Sequence, residues 1–123
     1  YDDLDLVPGK CRIKFGGGAG GHNGLRSLDN QIGNEYWRVR LGIGHPGHKD
    51  KVLRYVLQDF AKKEQDTWLS TLIQSLADDI QLLIEGNENT LMTKLALSVF
   101  PGGDKALSKK TPKNEPSDQN NLE

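Results

Sequence analysis

The stretch Gly16-Gly17-Gly18-Ala19-Gly20-Gly21-His22-Asn23-Gly24 holds six glycines in nine residues. That density excludes the interior of a helix or strand. It suits a loop whose main chain turns through angles closed to other residues, or lets a ligand approach closely. An alternating run, Cys11-Arg12-Ile13-Lys14-Phe15, leads into it and predicts a strand at about 10–15. A helical pattern, Leu25, Leu28, Gln31-Ile32, follows and ends at Gly33. The order is therefore strand, glycine loop, helix, with His22 and Asn23 where the helix begins. The first N–H groups of a helix are unpaired and sit at the positive end of its dipole. Such a place favours a phosphate, a carboxylate or a developing oxyanion.

The rest of the chain reads around that loop. Residues 1–9 hold three acids and then Pro8-Gly9, a turn signal. Trp37-Arg38-Val39-Arg40-Leu41-Gly42-Ile43 alternates, with Val39, Leu41 and Ile43 on one face and Arg38 and Arg40 on the other. Lys10, Arg12 and Lys14 form the matching basic face of the earlier strand. A strand–helix–strand unit places both strands in one sheet, so that Lys14 and Arg40 can reach the same ligand. Gly44-His45-Pro46-Gly47 reads as a loop. A short helix is expected from Asp50 to about Leu57, with Val52, Leu53, Val56 and Leu57 inward. A longer one is expected over 64–85, with Trp68, Leu69, Leu72, Ile73, Leu76, Ile80 and Leu83 at helical spacing. Gly86 stops it, and Asn87 caps a last helix over 88–97. From Ser98 to Glu123, Pro, Gly, Lys, Ser, Asn and Asp dominate, which predicts a disordered polar tail. The chain thus divides into one domain over 1–97 and a tail over 98–123.

With 123 residues, one domain fits. The net charge of −1 predicts no partner by itself. Its distribution does more. Residues 9–58 carry nine Lys and Arg against three acids, and residues 59–88 carry two against seven. One basic face and one acidic face are expected. The single cysteine, Cys11, cannot form an internal disulfide, which favours a reducing compartment. No apolar run reaches the length of a membrane span. The sequence opens on Tyr1 and runs straight into Asp2-Asp3-Leu4-Asp5-Leu6, which reads as a chain entered midway.

Several residues invite chemistry, each beside a plainer reading. Gly16-x-Gly18-x-x-Gly21 between a strand and a helix matches the dinucleotide fingerprint literally. But five glycines in six positions match many spacings, and no second strand ends in an acid for a ribose. No Gly-Lys-Ser/Thr follows, which excludes a Walker A loop. His22 can shuttle a proton, and the Asn23 amide can hold a carbonyl oxygen or position a water. Asn23 can equally be the helix N-cap. His45 and His48 bracket Pro46-Gly47 and lack the partners a metal site needs, so they read as turn residues. Among Asp2, Asp3 and Asp5, an acid at a strand end can orient a histidine, or simply face solvent. Lys14 and Arg40 can bind phosphates, or be plain surface charges.

Together these segments are familiar. Asp2-Asp3-Leu4-Asp5-Leu6-x-Pro8-Gly9-Lys10, Gly16 through Ser27, Arg38 through Lys49 and Tyr55-Val56-Leu57 resemble bacterial peptidyl-tRNA hydrolase, in unbroken order over residues 1 to about 97. The resemblance implies an α/β fold in three layers, with a mixed, twisted sheet between helices. It implies hydrolysis of the ester that joins a peptide to the 3′ end of tRNA, in the cytoplasm, without cofactor or metal and with no membrane partner. The whole enzyme is expected to be a monomer whose partner is peptidyl-tRNA. A histidine near the family's N-terminus acts as general base. The Asp that supports it falls on Asp2. The substrate-contacting Asn falls on Asn23, with His22 beside it at the tRNA end. The two positions that clamp tRNA phosphates fall on Lys14 and Arg40.

The sequence departs from the family in one large respect. The opening strand, the Gly-Asn-Pro-Gly-type loop, the general-base histidine and the Met-Asn segment that holds the peptide have no counterpart here. His22, His45 and His48 all match other family positions. The expectation is a C-terminal half of the family domain, truncated in its N-terminal half and inactive alone. Two alternatives stand beside it. A non-catalytic RNA-binding module of the same fold fits the basic face, and a nucleotide-binding domain predicts a melting temperature raised by nucleotide.

Overall fold

The computed structural model describes residues 1–102. Its sheet has three strands in the order β1-β3-β2, where β1 is Asp2–Asp3, β2 is Cys11–Phe15 and β3 is Trp37–Gly42. β1 runs parallel to β3, with Asp2 opposite Leu41. β2 runs antiparallel to β3, with Arg12 opposite Arg40 and Lys14 opposite Arg38. The sheet is therefore mixed, and the two alternating runs are neighbours in it, as expected. Because side chains alternate across a sheet, this register puts four cationic residues on one face. Cys11, Ile13, Val39 and Leu41 fall on the other.

The apolar face carries the core. Helix α1 is Asn23–Ile32, α2 is Val52–Leu57, α3 is Lys62–Glu64, α4 is Ser70–Asp79, α5 is Gln81–Ile84 and α6 is Glu88–Val99. Leu72 of α4 and Leu91, Leu95 and Val99 of α6 pack with Cys11, Ile13 and Phe100. Leu72, Leu91 and Leu95 are fully buried, and each stabilises the fold by about 1.5–3 kcal/mol through the area it removes from water. The acidic stretch 59–88 belongs to the helices behind this face, so the sheet lies between the basic and acidic regions. α1 lies on the cationic side, where Arg38 of β3 reaches its Asp29.

Some elements differ from the periodicity. The helix expected over 64–85 is interrupted. A wide turn at Gln65–Leu69 separates α3 from α4, and α4 ends at Asp79 before α5. Ile73 and Ile80 are exposed, while Leu82 joins Trp68, Leu76 and Leu83 against the core. Leu53 and Leu57 of α2 also face outward, and Val52 and Val56 are the half-buried pair. Gly86 does end the helix: its N–H bonds Leu83 O, and the Asn87 N–H bonds Leu82 O at 2.7 Å. That pair of bonds, with Gly86 at φ +81°, is a Schellman closure. Asn87 stands at the N-cap of α6 without a side-chain bond to it. Ser98 and Val99 close α6, and Phe100 is buried. Residues 103–123 of the expected polar tail lie outside the described residues.

Candidate substrate-binding site

On the cationic side of the sheet is a cleft of about 840 Å³. It is lined by β1, the glycine loop, the start of α1, the basic face of β2 and β3, and α2. Asp2, Lys14, His22, Asn23 and Arg40, the five residues singled out in the sequence, all line it. They come from four separate elements, and the sheet register and the turn of the loop bring them together.

The glycine loop begins where β2 passes Tyr36, with the Gly16 N–H on Tyr36 O at 2.9 Å. Gly16 and Gly17 both have positive φ, at 69° and 104°, angles that side chains resist. The loop ends at His22, which corrects one expectation: the N-cap of α1 is His22 and not Asn23. His22 Nδ1 accepts the Leu25 N–H at 3.0 Å, the bond a cap makes to the third helical residue. The ring lies over Gly24, where an added Cβ would sit 2.8 Å from His22 Cε1. With Nδ1 accepting, the neutral imidazole carries its proton on Nε2 and is a donor there. His45 is held the same way, its Nδ1 accepting the Gly47 N–H at 3.0 Å.

Asn23, the first residue of α1, accepts on Oδ1 from Arg26 Nη1 at 3.0 Å. Its oxygen is therefore engaged, and the exposed NH2 is the free end, suited to a carbonyl oxygen. Arg40 is half-buried, and its Nε donates to Asp3 Oδ2 at 2.7 Å. That hydrogen bond outweighs the effect of burial and raises the pKa of the guanidinium. The group is charged at every working pH, with Nη1 and Nη2 left for an anion. Asp3 was not distinguished from its acidic neighbours in the sequence. Its burial sets it apart, and its Oδ1 also accepts the Asp5 N–H at 2.8 Å. Asp2, the neighbour singled out, is exposed on the cleft.

Arg38 departs furthest from its sequence reading. The alternation rightly puts it on the face of Arg40, but it is not a solvated charge: it is 3% exposed, beneath the glycine loop. The opposite wall of the cleft is apolar, from Val52, Leu53 and Val56 of α2. Tyr55 fixes that helix to the end of β3 through a hydrogen bond from its hydroxyl to Ile43 O, and burial raises its phenol above the ordinary range. Among the described residues, no group of three His, Cys, Asp or Glu is arranged to hold a metal ion, and no helix is long and apolar enough to cross a membrane.

This geometry has close relatives. The family model described as peptidyl-tRNA hydrolase matches residues 1–102. A peptidyl-tRNA hydrolase of Rhodospirillum rubrum is 54% identical over 101 residues, which are 82% of this chain and 41% of that protein. One from Mesorhizobium japonicum is 48% identical over 122 residues, 99% of this chain and 50% of its own length. The crystal structure of the Acinetobacter baumannii peptidyl-tRNA hydrolase superposes with a TM-score of 0.67 at 40% identity, over 77% of this chain and 48% of that one. The chain thus spans about half the length of the curated relatives it matches. By its matched residues and its mixed sheet, the chain belongs to the peptidyl-tRNA hydrolase family.

Proposed function

We propose that this chain serves hydrolysis of the ester bond of peptidyl-tRNA, releasing the peptide and returning tRNA to translation in the cytoplasm. The observation that carries the reading is the convergence of Asp2, Lys14, His22, Asn23 and Arg40 on one cleft. Lys14 and the free Nη groups of Arg40 take backbone phosphates of the acceptor strand. The Asn23 NH2 donates to a substrate carbonyl, and the His22 Nε2–H faces the tRNA end. Asp2 supports a histidine that takes a proton from the attacking water.

That proton acceptor is none of the three histidines of this sequence. His22 and His45 each have Nδ1 occupied by a backbone N–H, which leaves both as donors, and His48 is not on the cleft. The proposal therefore gives these 123 residues the RNA-facing part of the site, without the general base. The test incubates the purified chain with an N-blocked aminoacyl-tRNA and follows both binding and ester cleavage. Binding with no cleavage above background is expected. Cleavage by the chain alone refutes the placement of the base elsewhere, and absence of binding refutes the assignment of Lys14 and Arg40.

A further inference from the structure

Arg38 is enclosed, with its side chain only 2% exposed. Its Nη1 donates to Gly18 O at 2.6 Å. Its Nη2 donates to Gly17 O at 2.9 Å and to Asp29 Oδ1 at 3.3 Å. Its Nε is buried with no hydrogen-bond partner. A buried cation is costly unless its surroundings answer it. Here one carboxylate and two peptide carbonyls do so, while the lone Nε remains a cost. A guanidinium held in this way does not itself meet a phosphate, unlike Lys14 and Arg40. What it controls is the loop.

The described residues contain no cis peptide bond, so within each peptide unit the N–H points opposite to the C=O. The carbonyls of Gly17 and Gly18 converge on the Arg38 guanidinium. The N–H groups of Gly18 and Ala19 belong to those same two peptide units. Both must point away from Arg38, to the open side of the loop. Neither meets an acceptor among the described residues. Gly18 and Ala19 both line the cleft, and Gly18 has nothing within 4 Å of the position its Cβ would take. The Lys14 ammonium lies beside the preceding glycine, 3.0 Å from where a Cβ on Gly17 would lie. Adjacent free N–H groups next to an ammonium form an anion-binding concavity.

We infer that Arg38 is a positioning residue: it turns the Gly17 and Gly18 carbonyls away, so that the Gly18 and Ala19 N–H groups hold, with Lys14, an anionic phosphodiester oxygen of the RNA. This rests on the reading that tRNA occupies the cleft, and adds to it two main-chain donors and a residue that orders them without touching the ligand.

The test uses the isotope-labelled chain, titrated separately with inorganic phosphate and with a short single-stranded RNA matching the 3′ end of tRNA. The amide resonances of Gly18 and Ala19 are expected to move with both. In Arg38→Lys, one ammonium cannot serve two carbonyls and a carboxylate in the same plane. Phosphate binding is expected to weaken about tenfold, with the two amide shifts lost and the α6 resonances unchanged. Unmoved Gly18 and Ala19 amides in the parent chain overturn the inference whether or not Arg38→Lys folds. If RNA still binds in that case, the tRNA reading stands without it. Amides that answer phosphate in a chain that binds no RNA support the loop geometry and overturn the tRNA reading. Phosphate affinity in Arg38→Lys equal to the parent's also overturns the inference.

Discussion

Arg40 donates from Nε to Oδ2 of Asp3 across 2.7 Å, joining the central strand to the two-residue β1 by side chains as well as by backbone. Asp3 also holds the turn after β1 through the Asp5 N–H. Asp3→Ala therefore removes two hydrogen bonds to a nearly buried carboxylate, one of them to a charged donor. It is expected to destabilise the fold by about 2–4 kcal/mol. Asp3→Asn is expected to rescue little, because its NH2 would face the Nε–H donor of Arg40. Urea unfolding midpoints check this; a midpoint for Asp3→Asn equal to the parent's contradicts it.

The phosphate roles of Lys14 and Arg40 predict a salt signature. Each contact to single-stranded RNA contributes about −0.7 to the slope of log affinity against log salt. Lys14→Ala and Arg40→Ala should each flatten the slope by about that amount, and the double variant by about twice as much. Equal slopes in parent and variants would remove both residues from the phosphate path.

His22 has a structural task beside its place on the cleft. His22→Ala removes the cap bond to Leu25 and is expected to cost about 1 kcal/mol, while His22→Asn restores most of it. The Asn variant separates cap from chemistry. Its stability should approach the parent's, and any remaining loss of RNA affinity then belongs to the Nε2–H. Thermal unfolding beside an RNA titration distinguishes the two.

Cys11 is buried in the core, and burial pushes its thiol from 9.0 up to about 11. A raised thiol pKa means the folded state holds the proton more tightly than the unfolded one. The stabilisation from the neutral thiol is thus fully present below pH 9 and is lost as pH climbs through about 11. In Cys11→Ala, that part of the alkaline decline should vanish. At pH 8 the folded chain should also alkylate about a hundredfold more slowly than an exposed thiol, following its thiolate fraction. Labelling at the rate of free cysteine would show that the site opens.

The glycines are not equal. A Cβ on Gly42 would sit 2.1 Å from Val7 O and 2.9 Å from Leu6 O, both backbone atoms. Gly42→Ala is expected to cost about 3 kcal/mol or more, since the turn after β1 must move. Gly18→Ala meets open space and should stay within about 0.5 kcal/mol of the parent. Comparing the two by chemical denaturation tests whether tolerance follows space or merely glycine density.

The period-2 runs at Cys11–Phe15 and Trp37–Gly42 were legible because alternation depends only on the strand's own geometry. They correctly paired the cationic faces that line the cleft. Alternation reports a face, however, and not the height of what lies above it. Arg38 and Arg40 look equivalent in sequence, yet the loop folds over one and leaves the other open. β1 was hard to see because a two-residue strand has no period; only its pairing with Leu41 and Gly42 defines it. The plainer reading of Asn23 as the cap rests on residue type alone; the cap falls on His22, whose ring fits over the bare Gly24. The wide turn at Gln65–Leu69 and the end of α4 at Asp79 are not encoded in the local spacing of Leu and Ile.

The parallel pairing of β1 with β3 joins residues 2 and 3 to residues 41 and 42. The antiparallel contact of β2 with β3 closes a shorter stretch of chain. Closure entropy rises with the length of chain enclosed, so the β2–β3 pair, with α1 between them, has the easier route to assembly. β1 is then expected to dock onto an edge already formed, bringing Asp2 and Asp3 to the guanidinium side last. Pulsed hydrogen exchange checks this: the amides of Leu41 and Ile43, bonded to Tyr1 O and Asp3 O, are expected to be the last of the sheet to gain protection.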